Sequence, residues 1–152
     1  SKFIKENKSK YTSMLPELLK KSDLIEKNSS PFQIVFAHND LLPANFIKDN
    51  KQIWLIDWEY AGYNTPLFDL GGLSSNNNFN EKDDIILLEN YYEKKVTDEI
   101  IKKFKCLKSA SLLRETMWSM VSEITSKINF DYGSYTNENL IKFNKSFDDL
   151  NL

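Results

Sequence analysis

Two different spacings of apolar residues divide this chain. Between residues 33 and 56 they come in short runs: QIVFA at 33–37, NFIK at 45–48 and IWLI at 53–56. Runs of that length bounded by polar clusters read as strands. Elsewhere apolar residues return every three or four positions, as a helix with one buried face requires. A few short strands inside a mostly helical chain predict an α+β fold that is mainly helical. A length of 152 residues suffices for one well-packed domain and is short for two, so a single domain over 1–152 is expected.

Residues 2–27 place Phe3, Ile4, Tyr11, Met14, Leu15, Leu18, Leu19 and Ile25 at helical spacing, with a break expected at Pro16. NSSP at 28–31 reads as a turn and QIVFA as a short buried strand. KDNKQ at 48–52 reads as the turn of a hairpin between NFIK and IWLI. Residues 57–80 lack periodicity and hold Pro66, Gly62, Gly71 and Gly72, so they read as a loop region with short pieces of structure. Asn80 is a candidate N-cap for a helix carrying Leu87, Leu88, Tyr91 and Tyr92. A second helix is expected from Thr97 through Ile124. FDYGSY at 130–135 interrupts, and Thr136 is expected to cap a last helix.

Composition excludes several classes. A net charge of −2 offers no basic field for nucleic acid and no polybasic membrane patch. The longest apolar runs are too short to span a bilayer, and no leader pattern opens the sequence. One cysteine, Cys106, cannot make an internal disulfide, so a reducing cytoplasm is the expectation. Its setting, FKCLKSASLL, predicts a buried structural thiol on a helix.

The chemistry-bearing stretch is FAHNDLLPANF at 36–46, which holds the only histidine. Phosphoryl transfer to an alcohol asks a protein mainly for placement and charge: a carboxylate facing the hydroxyl, and oxygen ligands holding Mg²⁺ against the phosphates. An Asp and an Asn five residues apart on one loop can supply this, with a second Asp at the end of a neighbouring strand. Asp40, Asn45 and Asp57 stand in that order. The protein-kinase pattern H-R-D-L-x-x-x-N followed by D-F-G has the same layout. This chain departs from it: no Arg follows His38, and Trp58-Glu59 follows Asp57. Taken singly, Asp40 and Asn45 would read as turn-forming residues.

The ordered set H-x-D-x4-N at 38–45, IDWEYAG at 56–62 and PLFDLGG at 66–72 resembles the choline kinase and aminoglycoside phosphotransferase superfamily, and within it the choline/ethanolamine kinases. The resemblance runs from about residue 33 to about 147. It implies a kinase-like C-terminal lobe and ATP-dependent phosphorylation of a small amino alcohol, with Mg²⁺ required. It implies Asp40 as catalytic base, Asn45 and Asp57 as Mg²⁺ ligands, and His38 and Asp69 as supports of the catalytic loop. Glu59 is left between the metal site and the substrate's charge.

For the acceptor, the resemblance points to Trp118, Tyr132 and Tyr135, with Tyr60 nearby. Choline kinases carry W-x-x-W and then F-x-Y-x-x-Y. The second is kept as Phe130-Asp131-Tyr132-Gly133-Ser134-Tyr135, while Glu115 stands where the first Trp would be. Asn76 occupies the place of a Glu in eukaryotic-type enzymes. Aromatic faces and a carboxylate suit a quaternary ammonium, which makes choline the expected acceptor. Ethanolamine, an aminoglycoside, thiamine, a sugar, or a non-catalytic binding module are the alternatives. Helix packing is the competing reading of Trp118 and the tyrosines. None of the four glycines forms a phosphate loop and no V-A-I-K-like strand precedes the catalytic loop, so an N-terminal ATP-binding lobe is expected to be missing from this chain. A chain that opens with Ser1 in a helix reads the same way. Oligomeric state is left open.

Overall fold

The computed structural model describes residues 2–7, 9–30 and 32–152. Four short strands and six helices follow one another: α1 (Lys2–Glu6), α2 (Leu15–Ser29), β1 (Val35–Ala37), β2 (Phe46–Lys48), β3 (Ile53–Leu55), β4 (Gly62–Asn64), α3 (Pro66–Asn76), α4 (Glu81–Tyr92), α5 (Asp98–Thr125) and α6 (Tyr132–Asp148). The fold is mainly helical α+β, as the two apolar spacings imply.

Helix α5 is the axis, with α2, α3 and α6 packed along it. One apolar cluster joins Ile4, Leu15, Leu18 and Ile25 to Leu112, Leu113, Met120 and Phe143. A second joins Leu67, Leu70 and Leu88 to Phe104 and Leu107. Small residues let α5 and α6 approach closely: Ser109 meets Ser146 at 2.6 Å and Ser119 meets Thr136 at 2.7 Å, hydroxyl to hydroxyl. Cys106 is fully buried, and burial pushes its thiol up from its ordinary value, as befits an inert core residue.

The break around Pro16 is present: α2 begins at Leu15, and Pro16 sits in its first turn, where its missing N–H costs nothing. Several boundaries depart from the sequence reading. The expected turn at 28–31 is mostly helix, since α2 runs to Ser29, whose hydroxyl donates to the Ile25 carbonyl at 2.7 Å; Pro31 lies outside the described residues. The hairpin of β2 and β3 forms as expected, with the Asp49 carboxylate accepting from the Lys51 and Gln52 amides and the Trp54 indole. Strand β1 is buried only at its end: Ala37 is 4% exposed, while Phe36 is 64% and Ile34, just before the strand, 59% exposed. Its partner is β4, antiparallel, with Phe36 opposite Tyr63 and Ala37 opposite Gly62.

The largest departure is residues 57–80, expected to be a loop region. They contain β4 and the whole of α3. Leu67, Leu70, Gly71, Gly72, Ser74 and Ser75 of α3 are all buried, so this helix is covered on more than one side. A helix buried all round has no polar stripe, and periodicity cannot reveal it. The last helix also starts earlier than expected. Asp131, not Thr136, caps α6 by accepting from the Ser134 amide at 2.9 Å, and Thr136 is a fully buried residue inside it.

Gly71 marks where α3 and α5 touch. A Cβ there would lie 2.8 Å from the Lys108 Cα and N, which are backbone and cannot yield. Gly71→Ala is therefore expected to cost about 1–3 kcal/mol by overpacking. Gly133→Ala, whose nearest contact would be 3.5 Å, should be neutral or stabilising. Denaturant titration of the two variants checks this; equal stabilities would remove the close approach.

Candidate functional site

The loop between β1 and β2 is held from beneath by α3. Asp69, in the first turn of that helix, accepts from the His38 amide through one oxygen and from the Asn39 amide through the other, each at 2.7 Å. Burial pushes the Asp69 carboxyl above its ordinary value, against the pull of these two amides. Asn76, at the other end of α3, donates to the Leu41 carbonyl at 3.3 Å.

His38 is 2% exposed. Its Nε2 lies 2.9 Å from the Ile56 carbonyl, and its Nδ1 lies 3.3 Å from the Asp40 amide. A carbonyl only accepts and an amide only donates, so Nε2 carries the hydrogen and Nδ1 accepts. Both ring nitrogens are thus used within the fold, and the ring rests edge-on against Trp58 at 4.8 Å. Asn39 takes a left-handed backbone conformation with φ 65°, which Asn tolerates. Its amide donates to the Tyr60 carbonyl at 3.0 Å and its oxygen accepts from Asn64 at 2.7 Å.

Asn45 is 7% exposed and donates through Nδ2 to the Asp40 carbonyl at 2.9 Å. That bond leaves the amide oxygen as the atom available to a ligand. The Asn45 carbonyl accepts from the Ile56 amide at 3.0 Å, so Asp57 follows directly on a residue bonded to Asn45. Asp57 is exposed and left-handed, with φ 63°. Asn45 and Asp57 each offer a hard side-chain oxygen on adjoining stretches of backbone. Among the described residues no group of three or more His, Cys, Asp or Glu could hold a metal ion. A pair of oxygens fits Mg²⁺, which binds through one or two protein groups and completes its shell with phosphates and water. Glu59 is exposed in the segment after Asp57.

The far wall comes from α5. Arg114 sends one nitrogen, Nη1, to Asp40 at 3.2 Å and to Glu115 at 3.0 Å, and its guanidinium lies 5.3 Å from the centre of the Tyr60 ring. The Tyr135 hydroxyl donates to the other Glu115 oxygen at 3.3 Å. Burial pushes the Glu115 carboxyl above its ordinary value and outweighs the neighbouring Arg114; the Asp40 charge adds to the rise. Tyr135 continues into an aromatic cluster with Trp118, Phe130 and Tyr132 at 5.0–6.4 Å between ring centres. Trp118 is 43% exposed, whereas Tyr132 is buried with its hydroxyl on Ser126.

The structure therefore brings Asp40, Glu115, Tyr60 and Tyr135 together around Arg114. Trp118 and Tyr132 reach this group only through Tyr135. Arg114 escaped the sequence reading, although it is the only arginine among twenty basic residues. That singularity was the one available signal.

The sequence model for choline/ethanolamine kinase matches residues 2–82. This chain belongs to that family. Protein LicA of Haemophilus influenzae is 28% identical over 102 residues, covering 65% of this chain and 38% of its own. A probable ethanolamine kinase of Arabidopsis thaliana is 29% identical over 126 residues, covering 67% of this chain and 32% of its own. The crystal structure of the choline kinase LicA from Streptococcus pneumoniae superposes with a TM-score of 0.69 at 25% identity, over 89% of this chain and 48% of that one. A structure of LicA in complex with AMP superposes with a TM-score of 0.70 at 24% identity. The chain thus spans less than half the length of these proteins.

Asp69→Ala would strand two backbone amides, at a cost of about 2–3 kcal/mol in denaturant titration. Stability unchanged within error would mean that the loop does not hang on α3. Glu115 is expected to give a pH signature. Its folded value lies above its unfolded value, so its contribution is complete below 4.5 and is lost as pH rises through the folded value. The Tm difference, wild type minus Glu115→Gln, should fall as pH climbs past 4.5. A flat difference would place Glu115 at its ordinary value.

Proposed function

We propose that this chain carries the acceptor and catalytic side of a kinase that phosphorylates the hydroxyl of a small amino alcohol, with choline the favoured acceptor, ATP the donor and Mg²⁺ required. One observation carries the reading. The Asp40 carboxylate, on a loop fastened by Asp69, shares Arg114 with a second carboxylate, Glu115, while Asn45 bonds the Asp40 carbonyl and the Ile56 amide that precedes Asp57.

In this reading Asp40 orients the acceptor hydroxyl and takes its proton. Asn45 and Asp57 hold Mg²⁺, which neutralises charge on the transferring phosphate. His38 and Asp69 keep the loop in place and move no proton. Glu115 meets the acceptor's positive charge, with Tyr60, Tyr135 and Trp118 as aromatic walls. Tyr132 supports the cluster from within. Glu59 stands nearer the metal end, two residues after Asp57. Ethanolamine is the second reading, and the modest aromatic wall favours it: a less methylated head group needs fewer rings around it.

We also infer that the chain is the C-terminal lobe and that nucleotide contacts come from a further lobe. The small share of each relative's length supports this. So does the exposed apolar face around the strands, with Phe36, Ile53, Trp54 and Tyr63 at 52–84% exposure. Among the described residues no helix is long and apolar enough to cross a membrane, and a cytoplasmic enzyme is proposed.

Two measurements test the reading. The 152-residue chain with Mg-ATP and choline should form little phosphocholine; turnover at an ordinary enzyme rate would sink the one-lobe inference. In the protein with both lobes, Asp40→Ala should lower kcat by at least about 100-fold with the thermal transition retained. Activity surviving that change would take the base role from Asp40.

A further inference from the structure

The two carboxylates nearest the proposed acceptor seat already share a cation. A single Arg114 nitrogen lies at 3.2 Å from Asp40 and 3.0 Å from Glu115, and the guanidinium plane covers Tyr60. Two carboxylates and an aromatic face are the recognition set for an organic cation. A small cavity of about 10 Å³ lies on the α3 side of Asp40, lined by Asp69, Asn76, Ser111 and Arg114, with room for about one water. The occupying side chain is also the only arginine in the sequence, where every other basic residue is lysine. Arginine suits the position because its planar, weakly hydrated head can fork to carboxylates and stack on a ring at once.

We propose that Arg114 is an internal stand-in for the substrate's cation, seated between Asp40 and Glu115 in the ligand-free protein and displaced when the ammonium group of the acceptor binds. This rests on the amino-alcohol reading above. The exchange conserves charge: one cation leaves the two carboxylates as another arrives, so neither carboxylate is left buried and unpaired. The Arg114 side chain is 30% exposed, so the released head has solvent to enter. Arg114 thereby sets apparent affinity, because an acceptor binds only the fraction of molecules whose seat is open.

The single arginine makes the test direct, since a nitrogen-labelled sample gives one arginine Nε–H signal. In the free chain that signal should exchange slowly with water, and choline should shift it. Arg114→Ala should bind choline roughly tenfold more tightly, corresponding to an open fraction of about a tenth in the wild type. Ethylguanidinium, the fragment the variant lacks, should compete with choline in Arg114→Ala and not in the wild type. Arg114→Gln, which keeps hydrogen-bond donors without the charge, serves if the alanine variant fails to fold. Choline binding that leaves the arginine signal in place, or variants that bind choline no more tightly, would overturn the stand-in and leave the amino-alcohol reading intact. Failure of both wild type and variants to bind choline or ethanolamine would remove that reading and this inference with it.

Discussion

The candidate site hangs on one carboxylate beneath its loop. Asp69 receives two consecutive backbone amides, from His38 and Asn39, and so couples the first turn of α3 to the loop that carries Asp40. Two charge-assisted bonds to adjacent amides fix the direction as well as the position of a loop. Everything further along inherits that placement. The His38 ring can bond the Ile56 carbonyl only because its backbone is held, and Ile56 in turn leads into Asp57. Helix α3 is itself fastened by the close contact of Gly71 with α5. The chain of support therefore runs from a buried helix crossing to a reactive oxygen.

Helix α5 serves two purposes along one length. Phe104, Leu107, Leu112, Leu113 and Met120 build the core. Arg114 and Glu115 lie where the helix passes the Asp40 loop, with Trp118 one turn further. A rigid 28-residue helix carries core packing and the far wall on one body, which keeps that wall at a fixed distance from Asp40. Charge within this wall is nearly balanced. Asp40, Glu115 and Arg114 leave one net negative charge facing the space an acceptor would enter.

Part of the proposed site was legible in the chain itself. Asp40, Asn45 and Asp57 stand at spacings that phosphate transfer would need, and the strands that carry them show as short apolar runs. The capping role of Asn80 was also legible, since an Asn before an acidic first turn has few other readings, and its box with Asp83 forms. Helix α3 was not legible, because a helix covered on several sides shows no polar stripe. The start of α6 was missed for a different reason: Asp131 and Thr136 are both acceptable caps, and burial against Ser119 decides that Thr136 lies inside. Arg114 was passed over because a basic residue beside a glutamate on a long helix usually faces water.

The sequence by itself determined the fold class, the order of the candidate site residues and the family resemblance, because these rest on local spacing and residue type. Tertiary structure alone decided which charges meet. Asp40 and Arg114 are 74 residues apart, and Glu115 and Tyr135 come from different helices. Their encounter follows from how α5 crosses the loop and from how α6 packs back on α5. No periodicity within either segment encodes those crossings. They are set by the summed packing of both cores, and with them the pairing of the site's one arginine to its proposed base.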